Sequence, residues 1–346
     1  MTEKRFKILS IDGGGIRGIF PAMFLAEFEA KLQAEGNPNW QVYQNFDLIC
    51  GTSTGGIMAI ALSLGIPARE VYNLYYDNAK TIFGNRKGFW KSIFKSNHER
   101  DALENLIRTK FQEVHNGENG KDPRLTHCKI PTCVPIYDLQ EGCPSVLKSK
   151  YHPKFVRDYH IPAYQAALAT SAAPTFFNPY SSYYEDLHGL KKPFHNKVDG
   201  GVFCNNPTLT AIVEAQKSFN KDLKDLSVLS IGTGHQKFCD AGITDNKQRE
   251  NWGIIYWMFS GGKKRLIELF MQGQSQQVQN LISLLQNGVD KQETSNFIYH
   301  RIDTELDSTC DIQLDETNQF KLDKLAEKAS REFQKNASVI LQSFSK

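Results

Sequence analysis

Residues 46–56, Phe-Asp-Leu-Ile-Cys-Gly-Thr-Ser-Thr-Gly-Gly, decide how the rest of the chain is read. Residues 46–50 form a short apolar run of strand type, and residues 57–64 are apolar nearly all round, as in a helix buried on most sides. Between them Gly51-Thr52-Ser53-Thr54-Gly55 is a G-x-S-x-G. A serine on a sharp strand-to-helix bend needs small neighbours, because strained backbone and close packing leave no space for side chains. Gly51 and Gly55 meet that need. The following helix would aim its amino-terminal amides and dipole at the serine, favouring negative charge that develops there. The alternative is a glycine-rich turn with an incidental serine, and the strand before and helix after weigh against it.

Upstream, Phe6–Ile11 is a second apolar run that ends in Asp12-Gly13-Gly14-Gly15-Ile16-Arg17-Gly18. Gly13, Gly15 and Gly18 satisfy the dinucleotide-binding pattern G-x-G-x-x-G. That reading wants a second strand ending in an acidic residue about 20 positions on, to hold a ribose. Here the second strand runs into the serine turn, with Asp47 at its beginning. The other reading is an oxyanion hole, in which successive glycines let backbone N–H groups converge on one oxygen and Arg17 adds a fixed positive charge.

Further out, Phe20, Phe24 and Phe28, with Leu25 and Leu32, recur at helical spacing until Gly36. Helices are expected over Ala68–Phe83, 101–111, 163–173 (stopped by Pro174), 263–286 and 320–343, and strands over 130–137, Leu226–Ile231 and 297–302. Residues 115–127 read as a polar loop and 178–197 as an irregular excursion rich in Tyr, Lys and His. The alternation of strand and helix implies a largely parallel sheet covered on both faces, an α/β/α arrangement of three layers.

The 346 residues are 40% hydrophobic and 23% charged, enough to bury a large core, which excludes intrinsic disorder and fibrous repeats. A net charge of +3 is too small a surplus for a nucleic-acid polymer to be expected as partner. Seven cysteines without CxxC pairs argue against a disulfide framework and a zinc site, so reduced thiols and no metal are expected. The start, MTEKRFKILSIDGGG, lacks a secretory-type hydrophobic segment, and the longest aliphatic run, 57–62, is far short of the roughly 20 residues that span a bilayer. A cytoplasmic location is expected. The segment 84–95, GNRKGFWKSIFK, combines four basic residues with Phe89, Trp90 and Phe94; it reads either as a membrane-surface contact or as a helix with a solvated basic face.

A serine nucleophile needs a base. Asp199, followed by Gly200 and Gly201, offers a carboxylate at an apparent strand end, where Asp-Gly-Gly also suits a plain β-turn. His235 offers an imidazole after the strand ending at Gly232-Thr233-Gly234, completing the Ser, Asp, His order of α/β-hydrolases. Imidazole titrates near neutrality, whereas an ordinary Asp at about 3.9 is a poor base unless burial raises its pKa.

Taken together, DGGGIRG (12–18), GTSTGG (51–56), ATSAAPTF (169–176) and DGGVFCNNP (199–207) resemble the patatin-like phospholipases, in the same order. The likeness covers roughly 6–236, which would make 6–236 the catalytic core and 237–346 a mainly helical extension packed on the same domain. The resemblance implies a Ser/Asp dyad that cleaves acyl esters of lipids without a metal. Ser53 is then the nucleophile and Asp199 the base, with Gly14 and Gly15 forming the oxyanion hole supported by Arg17. His235 becomes a loop residue and Asp12 a turn residue. The opening DGGGIRGIFPA and the helical C-terminal region are also similar to patatin effectors of bacterial anti-phage defence that a cyclic nucleotide switches on. That likeness adds a cyclic dinucleotide and further copies of this chain to the candidate partners, beside membrane phospholipid at a peripheral membrane surface. Lys263, Lys264 and Arg265, or Lys191 and Lys192, are candidates for the phosphate contact. A non-catalytic lipid- or nucleotide-binding module is the alternative from another class.

Overall fold

The computed structural model describes residues 5–84, 100–115, 122–235, 257, 265–287, 297–306 and 312–346. Strand β1 (Phe6–Ile11) lies in the middle of the sheet, and its alternate side chains serve two different cores. Leu9 and Ile11 join the larger core; Phe6 and Ile8 join a smaller one on the opposite face. That double burial explains why the run is apolar without alternation.

Among the described residues eight strands form one sheet: β2 (Leu48–Gly51), β3 (Thr132–Asp138), β4 (Cys143–Lys148), β5 (Tyr180–Glu185), β6 (Lys191–Asp199), β7 (Leu226–Ile231) and β8 (Ile298–Ile302), besides β1. Its order is β5-β6-β3-β2-β1-β7-β8, with β4 paired to β3. The pairs β1/β2, β1/β7, β2/β3 and β7/β8 are parallel, whereas β3/β4, β3/β6 and β5/β6 are antiparallel. The helices in chain order are α1 (Ile19–Ala34), α2 (Val42–Asn45), α3 (Thr54–Leu64), α4 (Ala68–Phe83), α5 (Asp101–Val114), α6 (Ala163–Thr170), α7 (Thr208–Ser218), α8 (Arg265–Asn287) and α9 (Gln319–Phe344). Aromatic residues of α1 and α9, such as Phe24 against Phe333, build the larger core with α3 and α4; α7 and α8 supply Ala211, Ile212 and Ile282 to the smaller one. Two helical layers thus enclose the sheet.

Register places the site. Ile11 is level with both Gly51 and Ile231, so the segments after β1, β2 and β7 leave the sheet at the same edge, the carboxyl ends of its central strands. The antiparallel partner β6 brings Asp199 level with Ile136, toward that neighbourhood from the other direction.

The region 178–197 is not irregular. Tyr180–Glu185 and Lys191–Asp199 form an antiparallel hairpin at the sheet edge, with alternating burial along β5. One face meets solvent, so half of its positions are Ser, Tyr, Lys and His, and the apolar run that marks the central strands is missing. The helix begun at Ala163 ends at Thr170, short of residue 173, and the Ala172 carbonyl accepts the Asp199 N–H at 3.1 Å instead of continuing a helix. Of the segment 84–95 only Gly84 falls among the described residues, and Lys263 and Lys264 lie outside them. No helix among the described residues is long and apolar enough to cross a membrane.

Candidate active site

Ser53 sits between β2 and α3 with φ 57° and ψ −124°, a conformation a non-glycine residue rarely adopts, and it is buried. The bend is this tight because Gly51 packs on the Gly55 carbonyl and Gly55 on the Ile11 and Asp12 carbonyls; a Cβ at either glycine would overlap backbone. Thr170 anchors it from α6: its Oγ1 accepts the Ser53 N–H at 3.2 Å and donates to the Pro135 carbonyl at 2.6 Å. Thr52 adds a second tether, donating from Oγ1 to the Cys204 carbonyl at 2.7 Å.

At the end of β6, Asp199 faces this serine. Ser53 Oγ donates to Asp199 Oδ2 at 2.6 Å, and Asp199 Oδ1 accepts the Gly201 N–H at 2.7 Å. Gly200 is required by crowding, since a Cβ there would collide with the Pro135 carbonyl. Asp199 is fully buried, and this desolvation pushes its carboxyl up to about 7, against the lowering effect of the Ser53 and Gly201 hydrogen bonds. A carboxylate of that basicity can hold a proton at neutral pH.

The glycine loop after β1 lies beside the serine: the Gly13 Cα carries a hydrogen where a Cβ would stand 3.2 Å from Ser53 Cβ. Asn205 accepts the Gly13 N–H through its carbonyl, and Leu314 accepts the Ile16 N–H, so the loop is held on both sides. Gly15 has φ 55°. Among the described residues neither the Gly14 nor the Gly15 N–H meets an acceptor. Arg17 is buried, but its side chain lines a neighbouring polar cavity and not the one that holds Ser53. Gly18 packs on Thr54 at the start of α3.

Ser53, Asp199 and Gly15 lie on the wall of a cavity of ≈ 170 Å³ that is otherwise mainly apolar, lined by Ile57, Ile82, Leu103, Phe176, Phe177, Met271 and Leu314 among others. Val202 and Phe270 line it too and are exposed, so it reaches the surface past hydrophobic side chains.

His235 is placed elsewhere. Its Nδ1 lies 3.3 Å from Asp303 Oδ2, and it lines the polar cavity with Arg17. The hydrogen bond to Asp303 raises its pKa against the opposing effect of partial burial. Asp12 is no simple turn residue: Arg301, on β8, holds both its oxygens, Nη1 to Oδ1 at 3.0 Å and Nη2 to Oδ2 at 2.7 Å. Sequence reading missed Arg301. The available signal was one arginine inside a short, otherwise strand-like run, but its partner is far away in the chain. Lys191 and Lys192 sit on the exposed hairpin, over the Tyr183 ring and near Asp186, away from either cavity. Among the described residues no group of three or more His, Cys, Asp or Glu could hold a metal ion, and Cys50, Cys128, Cys133, Cys143 and Cys204 are free thiols.

The family model described as patatin-like phospholipase matches residues 9–212. The chain is 30% identical over 339 residues to a cGAMP-activated phospholipase of Escherichia coli (strain TW11681), covering 94% of this chain and 88% of that one. It is 30% identical over 352 residues to a cGAMP-activated phospholipase of Vibrio cholerae serotype O1, covering 97% and 94%. To patatin-like protein 2 of Arabidopsis thaliana it is 32% identical over 299 residues, covering 78% and 70%. By the extent of these matches the chain belongs to the patatin-like phospholipase family, the serine-type lipid hydrolases.

Proposed function

We propose that this chain cleaves fatty-acyl esters of membrane glycerophospholipids by a Ser53/Asp199 dyad, through an acyl-serine intermediate. The observation that carries the reading is the 2.6 Å hydrogen bond from Ser53 Oγ to Asp199 Oδ2 on the wall of an apolar cavity. As Ser53 Oγ attacks the ester carbonyl carbon, its proton passes to Asp199 Oδ2. The carbonyl oxygen takes up negative charge, which the Gly14 and Gly15 amides stabilise; removal of one such donor in a known hydrolase costs about 10²–10³-fold in rate. When the tetrahedral intermediate collapses, the C–O bond to the glycerol oxygen breaks and Asp199 gives that oxygen its proton, leaving the acyl group on Ser53. Water then attacks the acyl-serine, losing a proton to Asp199, and collapse returns that proton to Ser53 Oγ and releases the fatty acid.

The apolar cavity suits an acyl chain, and exposed Val202 and Phe270 at its lining suit a lipid surface approached from the cytoplasm. The names of two relatives add an activator: both are cGAMP-activated phospholipases, and we infer a cyclic dinucleotide as the switch for this chain in anti-phage defence.

A fluorophosphonate tests the nucleophile. Phosphonylation of Ser53, read by mass spectrometry on the intact chain and its peptides, is expected to match the loss of hydrolysis. Full inactivation with Ser53 unmodified would refute the assignment.

A further inference from the structure

The glycine loop separates two cavities. Gly15 faces the apolar one, whereas Gly13 and Gly14 line the second, of ≈ 310 Å³, within the range of small-molecule sites. This second cavity opens at the carboxyl ends of β1, β7 and β8. From β1 the chain goes to β2 on one side, while β7 joins β1 on the other, so the gap between β1 and β7 is where the strand order reverses. In open α/β sheets ligands bind in that crevice. The patatin-type chemistry occupies the neighbouring side, after β2, and leaves this one unused.

Its walls have a distinct chemistry. Arg301 forms the floor, already neutralised by Asp12 and by Asp303 at 3.1 Å. Opposite, successive turns of α8 present Gln272, Gln276 and Gln279. Two buried side-chain atoms of lining residues, Asn205 Oδ1 and Arg301 Nε, have no hydrogen-bond partner among the described residues. With Asp12, Asp303 and Glu268 against Arg17 and Arg301, the cavity carries no cationic excess to hold a phosphate deep inside. Carboxamides and a guanidinium, by contrast, match the edge of a purine, whose adjacent donors and acceptors pair with Asn, Gln or Arg.

We propose that this cavity is the site of the activating nucleotide: one purine base of a cyclic dinucleotide enters among Arg301, Asn205 and the three glutamines, and its phosphates stay at the mouth. The proposal rests on the reading of this chain as nucleotide-activated, and it locates the switch. Binding is read by the catalytic centre through shared walls. Thr233 Oγ1 donates to the Gly13 carbonyl at 2.9 Å, the Asn205 carbonyl holds the Gly13 N–H at 3.0 Å, and Met271 lines both cavities. A ligand seated there presses on the segment whose amides face the ester oxygen.

The test is calorimetric titration of the full chain with cGAMP, cyclic di-AMP and cyclic di-GMP. The wild type is compared with Gln276→Leu, Gln279→Leu and Gln277→Leu; Gln277 lies on the same helix, is exposed and does not line the cavity. Thermal melting of each variant checks its fold. One dinucleotide is expected to bind the wild type and Gln277→Leu alike, and each of the other two variants tenfold or more weakly. Equal affinity for all four proteins would overturn the location while leaving nucleotide activation standing. No binding of any dinucleotide to a wild type that still hydrolyses esters would remove the activation reading, and the proposal with it.

Discussion

Arg301 and Asp12, 289 residues apart, close a two-pronged ion pair that joins the last strand of the sheet to the first residue of the glycine loop. Both side chains are more than nine-tenths buried. Arg301 also donates to Ser230 Oγ at 2.8 Å and to Asp303, so three strands are tied at one point. Burial raises the Asp12 carboxyl to about 6, with Arg301 pulling it down, so Asp12 is ionised at neutral pH.

Arg301→Met leaves the Asp12 charge buried without its partner. Breaking a buried pair from one side costs about 3–5 kcal/mol, whereas replacing both partners is far milder. Urea denaturation at pH 7.5 is therefore expected to show a loss of about that size for Arg301→Met and substantial recovery in Asp12→Asn/Arg301→Met. A single variant as stable as the wild type would mean that the pair contributes nothing to holding the loop.

Ester hydrolysis has a predicted pH dependence. With Asp199 as the proposed base, only its ionised form can accept the Ser53 proton, and burial lifts its carboxyl to about 7. Below about pH 7, kcat/KM on a soluble chromogenic ester should fall about tenfold per pH unit, and above it should level off. A profile flat down to pH 5 would contradict a base with this environment.

Asp199→Asn should stabilise the fold as it removes activity. The unfolded chain ionises Asp199 near its ordinary 3.8 and the native state near 7, so the native state binds the proton more tightly. The stabilising preference for the protonated form is complete below about pH 4 and is lost as pH rises to about 7. The neutral amide escapes that loss. Its gain over the wild type is expected to be absent at pH 4 and to reach on the order of 1–3 kcal/mol at pH 8, by thermal melting across that range.

Gly51→Ala should be poorly tolerated, because its methyl group overlaps the Gly55 carbonyl, backbone that cannot rotate away. Overpacking of this kind costs about 1–3 kcal/mol or more. Gly142→Ala, with nothing within 4 Å of its Cβ, has only its φ of 65° to strain it. Its loss should be the smaller one in the same denaturation assay.

Local signals carried much of this architecture. Phe6–Ile11 with its glycines, and the serine turn after β2, are legible because each packs a strand, a bend and a helix into neighbouring residues. The β5/β6 hairpin was hidden by its exposed face, where Ser181, Tyr183 and Glu185 break the apolar pattern. Helix α7 was overlooked as well, since Thr208–Ser218 is only half covered and carries few large apolar side chains. The meeting of Ser53 and Asp199 was reached through the likeness of four motifs, as spacing left Asp199 and His235 level. No local pattern pairs Asp12 with Arg301, and the second cavity exists only once β8 and α8 have folded against the glycine loop.

The most direct measurement is fatty-acid release from glycerophospholipid vesicles by Ser53→Ala, Asp199→Asn and His235→Ala, each confirmed folded and assayed with and without cGAMP. The account predicts that the first two lose at least about 10³-fold in kcat, while His235→Ala still hydrolyses the lipid. Hydrolysis by Asp199→Asn at the wild-type rate would contradict it.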